Sequence, residues 1–220
     1  MKTKYFILFL FCMIIALTSC GGDGNGGGGS PLTFTTTILS DPALDGDIAL
    51  GLQGDLSLIQ GDNELLFAGN HPESGDEYRA FINFPLGGAG GIPLNAIIVS
   101  ATLDILIDGI LPLPLNNSIP ILIDLVSYEP PLIVQDFDRA LLPALVTTSI
   151  FPPVSELDLD QHITIDVTPL MQEAQRLGLA AFQIRLLQDP GATSPGLIVI
   201  NDTIGVDREF LAPLLEVSYF

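Results

Sequence analysis

Short runs of aliphatic, β-branched and aromatic residues, each closed by Gly, Pro, Asn or Asp, recur along the chain from residue 32 onward. That punctuation restricts the fold more than any other feature, because strands need only about four to eight residues between turns whereas helices need longer periodic runs. The segment Tyr78-Arg79-Ala80-Phe81-Ile82-Asn83-Phe84 alternates: Tyr78, Ala80, Ile82 and Phe84 fall on one face and Arg79, Phe81 and Asn83 on the other. Comparable runs occupy Leu32 to Leu39, Asp47 to Leu52, Asp55 to Ile59, Glu64 to Ala68, Ala96 to Ile107 and Ile119 to Tyr128. Later ones are Ile163 to Val167, Ala180 to Leu187, Leu197 to Asn201 and Leu214 to Tyr219. About ten strands with no βαβ rhythm predict an all-β fold, an antiparallel, jelly-roll-like β-sandwich.

One short helix is expected in that frame. Thr168 can cap its first turn, Pro169 suits the first helical position, Gly178 can end it, and Leu170, Met171, Ala174 and Leu177 share one side. The Pro- and Asp-rich stretch from Pro130 to Asp160 carries no clear strand pattern. A short turn at Asp136 to Leu142 would be stopped by Pro143.

The first 31 residues read differently. Lys2 and Lys4 precede the uncharged run Tyr5 to Leu17, which is too short to span a bilayer but suits the apolar part of a secretory signal. Leu17-Thr18-Ser19-Cys20 resembles a bacterial lipoprotein signal, and this resemblance implies cleavage before Cys20 and lipidation of that cysteine. Residues 21–31, almost all Gly, Asn, Asp and Ser, have little side chain to bury and are expected to form a tether. The expected organisation is therefore a signal peptide over 1–19, a lipidated Cys20 with a Gly-rich linker over 20–31, and a single β-sandwich domain over 32–220. The expected location is extracytoplasmic, lipid-anchored to the outer membrane or cell surface. With Cys12 removed, one cysteine is left and no disulfide framework is possible.

The net charge is −19, and after residue 19 the cations are five arginines, Arg79, Arg139, Arg176, Arg185 and Arg208. Such a surface repels phosphate backbones and anionic headgroups, so nucleic acid is excluded as a partner and membrane attachment must run through the N-terminal lipid. Attraction of divalent cations is the other consequence. Asp41, Asp45 and Asp47 bracket a turn that could offer oxygen ligands to a structural calcium ion, as could Asp136 with Asp138 or Asp158 with Asp160, although none follows the EF-hand spacing. Asp at turns equally serves backbone hydrogen bonding.

In order, Tyr78 to Phe84, Ile98-Val99-Ser100-Ala101-Thr102-Leu103, Ile163-Thr164-Ile165-Asp166-Val167-Thr168 and Pro213-Leu214-Leu215-Glu216-Val217-Ser218-Tyr219 resemble the DNRLRE-domain group. These are secreted β-sandwich modules found beside carbohydrate-active or adhesive domains on bacterial surfaces. The resemblance implies the sandwich fold and a non-catalytic binding or structural role in the cell envelope, with a glycan or an envelope protein as partner. The chain departs from the group in having no tryptophan, and Asp207-Arg208-Glu209 only loosely echoes the motif of the name.

For sugar recognition, Arg79 and Arg185 could read a carboxylate bidentately and Tyr128 could offer an aromatic face; alternatively each arginine pairs with an acid on a neighbouring strand and each aromatic packs in the core. No Gly-x-Ser-x-Gly elbow, phosphate-binding glycine loop or His-Glu-x-x-His pattern occurs, and His71 and His162 stand alone. Asp104, Asp108, Asp124 or Asp166 could still be paired by the fold at glycosidase spacing. The leading expectation is a lipid-anchored, non-catalytic envelope module. A carbohydrate-binding accessory lipoprotein and a polysaccharide-active lyase or hydrolase are the alternatives.

Overall fold

The structure, a computed structural model, describes residues 32–61, 63–88 and 90–220. The expected signal peptide, Cys20 and the Gly-rich linker lie outside the described residues. Thr33–Phe220 form one compact unit. Its strands, in chain order, are β1 Phe34–Leu39, β2 Gly46–Leu50, β3 Leu56–Gln60, β4 Leu65–Asn70, β5 Glu77–Pro85 and β6 Ile98–Leu111. They continue with β7 Ile121–Val126, β8 Val146–Ser149, β9 Gln161–Asp166, β10 Ala181–Gln188, β11 Leu197–Asn201 and β12 Leu214–Tyr219.

All pairings between these strands are antiparallel. The main path runs β1-β12-β6-β11-β4-β5-β10-β7-β8, with β9 added to β6 and the β2–β3 hairpin added to β5. The fourteen-residue β6 makes this continuity possible. Its first half pairs with β12 and its second half with β11, which in turn carries β4 and β5. The result is one sheet curled into an all-β, sandwich-like domain. Leu103 of β6, Val217 of β12, Ile82 of β5, Ile184 of β10 and Ile123 of β7 are all fully buried in a single shared core.

β5 is covered on both faces. Ala80, Ile82 and Phe84 enter the main core, as their alternation predicts, while Phe81 belongs to a second cluster with Ile48, Val126, Leu132, Phe137 and Leu142. The last three come from the 130–142 segment, which folds over the outer face of β5, β10 and β7. Part of that segment is a 3-10 turn, Val134–Phe137, and β8 follows as an edge strand. The turn expected at Asp136 to Leu142 overlaps this one, whereas β8 does not show in the local pattern, because Val146-Thr147-Thr148-Ser149 is short, polar and set between prolines.

Helix α1, Thr168–Leu177, buries Leu170, Met171 and Ala174 and is closed by Gly178 at φ 67°, a left-handed conformation that glycine adopts without steric cost. It starts one residue earlier than expected. Thr168 is inside the helix rather than capping it: its hydroxyl accepts the Ala101 N–H at 2.9 Å, and Asp166 accepts the Thr168 N–H at 2.9 Å. A second, four-residue helix, α2, spans Arg208–Leu211.

Where β4 passes closest to the chain before β11, Gly69 has φ 121°, and a Cβ there would lie 2.2 Å from the Gly196 carbonyl oxygen. Gly54, at φ 82° in the β2–β3 turn, faces open space. Gly69→Ala should therefore lower the unfolding free energy by at least about 2 kcal/mol and Gly54→Ala by about 1 kcal/mol, read as urea midpoints at constant m-value. Equal losses would show that backbone conformation alone, and not the close approach, sets the cost.

Candidate functional site

The outer face of β5, β10, β7 and β8 is built around one cross-strand row, Phe81–Arg185–Asp124–Thr147, in direct register. Arg185 and Asp124 are both completely buried. Arg185 Nη2 and Nε donate to Asp124 Oδ2 at 2.8 and 3.2 Å, and Nη1 donates to the Leu142 and Asp136 carbonyls at 3.0 and 3.3 Å. Asp124 Oδ1 accepts from Thr147 Oγ1 at 2.6 Å and from Arg139 Nη2 at 3.1 Å. Burial disfavours the charged guanidinium, and the Asp124 carboxylate offsets that cost. Arg79, one row along, donates to the Phe137 carbonyl, pairs with Glu77 at 2.6 Å and stacks 3.9 Å over the Phe137 ring. Arg79 and Arg185 are thus both committed to holding the 130–142 segment on the sheet.

Beside this network the sheet opens into a cavity of about 390 Å³, lined on its polar side by Asp41, Asn83, Ser127, Tyr128, Glu129 and Gln183. Asn83 and Gln183 are cross-strand partners on β5 and β10. Gln183 holds the Tyr128 backbone from both sides, accepting its N–H at 3.0 Å and donating to its carbonyl at 3.2 Å. The Tyr128 ring packs edge-on against Phe81, 5.9 Å between centroids. Burial holds the Tyr128 hydroxyl in its protonated form. Asn83 Nδ2 and the Tyr128 hydroxyl are buried without a hydrogen-bond partner. Such groups cost about 1–3 kcal/mol each until something pairs them.

Asp45 lies behind Asn83, with Oδ1 accepting the Asn83 N–H at 2.7 Å and Oδ2 unpaired 3.8 Å from Arg208 Nη2. Burial and the nearby Asp202 push its carboxyl well above the usual range. Arg208, from α2, also donates to Asp202 at 3.2 Å and to the Ser40 and Thr203 carbonyls at 2.6 and 2.8 Å, tying together the ends of β1 and β11. Asp47 stands apart on β2, buried, with Oδ2 unpaired. Asp41, Asp45 and Asp47 therefore take three different positions: pocket rim, buried behind the pocket, and buried in β2. Among the described residues no group of three or more His, Cys, Asp or Glu converges as cation ligands.

The four acids considered as paired carboxylates have separate partners. Asp104 meets His162 at 2.5 Å, Asp108 accepts from Asn201 at 3.3 Å, Asp166 holds the start of α1, and Asp124 belongs to the arginine network. Asn83 and Gln183 escape reading from sequence as site residues, yet each carries a signal: a lone polar residue inside an aliphatic or aromatic strand run. In a strand buried on both faces, such a residue must find a partner or face a cavity. No protein-family model matches the chain, and no curated protein matches it either.

Two stability predictions follow from these side chains. Asp124→Ala leaves the Arg185 guanidinium buried and uncompensated, and should destabilise the fold by about 3–5 kcal/mol in urea unfolding; a loss below about 1 kcal/mol would mean that water reaches the guanidinium. The Asp47 carboxyl, pushed up from 3.8 to about 7 by burial, keeps its proton where the unfolded chain has lost its own. The folded state then binds more protons than the unfolded state, so this group's effect is to make stability fall as pH rises from about 4 to 7 and level off above. Asp47→Asn, which cannot ionise, should be more stable than the parent at pH 8 and lose part of the decline between pH 5 and 8. An unchanged pH profile in this variant would refute the assignment.

Proposed function

We propose that the chain is a lipid-anchored, extracytoplasmic, non-catalytic binding module of the bacterial cell envelope, and that its ligand occupies the Asn83–Tyr128 cavity. The observation that carries this reading is an open cavity of ligand size lined by the neutral polar side chains of Asn83, Ser127, Tyr128 and Gln183, with Asn83 Nδ2 and the Tyr128 hydroxyl left unpaired in the wall behind it. Amide and hydroxyl side chains of this kind offer both donors and acceptors to a hydroxylated ligand. Asp41 and Glu129 at the rim disfavour an anionic ligand, so a neutral hydroxylated molecule such as a sugar unit of a glycan fits best. The resemblance to DNRLRE-type modules supports the same class of ligand, and the Leu17 to Cys20 pattern supports the anchor.

Two measurements test the two halves. Cells expressing the full chain and fed a clickable palmitate should yield a labelled product, and a Cys20→Ala chain should not; an unlabelled wild-type chain ends the anchor reading. The purified full chain, screened on an array of neutral glycans, should bind a subset. Asn83→Ala should weaken that binding at least about tenfold by removing a buried hydrogen bond, with its urea midpoint measured alongside. Binding unaffected by Asn83→Ala, or no binding to any glycan on the array, would displace this assignment.

A further inference from the structure

At one end of the β1–β12–β6 part of the sheet, Phe34 is opposite Tyr219 and Tyr219 is opposite Ile98. Just beyond, Ile97 and Phe220 exchange two backbone hydrogen bonds at 2.8 and 3.2 Å. Large apolar side chains are left in solvent here: Phe34 is 56% exposed, Ile97 58%, Val99 47%, and Leu94, in the turn leading to Ile97, 88%. In a chain of net charge −19, residues 24–40, 86–103 and 217–220 contain no charged side chain. Helix α1 adds Gln172 and Gln175, which donate to the Ile98 and Ala96 carbonyls, and between and after them Glu173 and Arg176, whose charges cancel in an ion pair at 2.6 Å. Exposed apolar side chains occur elsewhere too, Phe151 and Val206 among them, but what sets this end apart on a protein of net charge −19 is that its strand and turn residues carry no acid.

The chain from Cys20 enters the sheet at this end, because β1 begins at Phe34. Thirteen residues separate the two, a Gly-rich stretch whose reach cannot exceed about 45 Å. Acylation of Cys20 would thus tether the domain by this end. We infer that the uncharged end formed by Phe34, Leu94, Ile97 and Val99 rests on the lipid surface in which Cys20 is anchored. The inference builds on the lipoprotein reading proposed above. Apolar side chains gain by entering the headgroup boundary, and the acids elsewhere on the domain are repelled by anionic lipid, so both effects turn the same end downward.

Single cysteines are introduced as Ile97→Cys, Val99→Cys and Leu157→Cys in the full, acylated chain, where the lipid blocks Cys20. Each is coupled to an environment-sensitive fluorophore, and the protein is placed in phosphatidylcholine vesicles holding a spin-labelled lipid quencher. Leu157, 87% exposed, serves as the reference. It lies beyond the far end of β6, where the Asp160 N–H donates to the Ile107 carbonyl at 2.8 Å. Ile107 is nine residues along the strand from Ile98, roughly 30 Å. Quenching at positions 97 and 99 should exceed that at 157 by at least about threefold, as side chains at the headgroup boundary require. Equal quenching at all three positions in vesicle-bound, palmitate-labelled protein would overturn the inference and leave the anchor standing; a chain that takes up no palmitate would overturn both.

Discussion

The ion pair between Arg185 and Asp124 is the constraint on which the outer half of this domain depends. Both side chains are wholly buried, and an uncompensated charge in that position would not be tolerated. The partners that compensate the pair come from different places in the sequence. β10 supplies the arginine, β7 the aspartate and β8 a threonine, while the 130–142 segment supplies Arg139 and two backbone carbonyls. The same bonds that neutralise the pair therefore dock an irregular, proline-rich segment onto the sheet. With that segment in place, Phe81 gains a second apolar cluster, and the Asn83–Tyr128 cavity acquires one wall from Tyr128, Glu129 and Pro130.

Elements whose pattern is local were legible from the residues alone. Alternation in Tyr78 to Phe84 correctly separates the two faces of β5, and the Gly178 terminator and apolar stripe locate α1 to within one residue. Features set by distant partners were not legible. Nothing near Val146 to Ser149 marks a strand; pairing with β7 creates it. Thr168 carries the composition of a cap, but Ala101, sixty-seven residues away, takes its hydroxyl. The alternation also could not say that the second face of β5 would be buried, and that burial is what turns Asn83 from an ordinary surface residue into an unsatisfied donor.

The five arginines after residue 19 show how charge and chemistry divide in this molecule. Arg79 pairs with Glu77, Arg139 and Arg185 with Asp124, Arg176 with Glu173, and Arg208 with Asp202. Every cation among the described residues is thus matched to an internal acid, and most also hold backbone carbonyls of loops or helix ends. A carboxylated sugar would find no free guanidinium here, so the bidentate recognition that Arg79 and Arg185 offer in principle is already directed inward. What the domain can offer a ligand instead is neutral: an amide, a phenol and backbone groups in a cavity with an acidic rim. Asp45, Asp47, Asp124 and Asp202 are buried as well, so acids and arginines alike go into holding the fold together, and the Asn83–Tyr128 cavity is left with neutral groups behind an acidic rim.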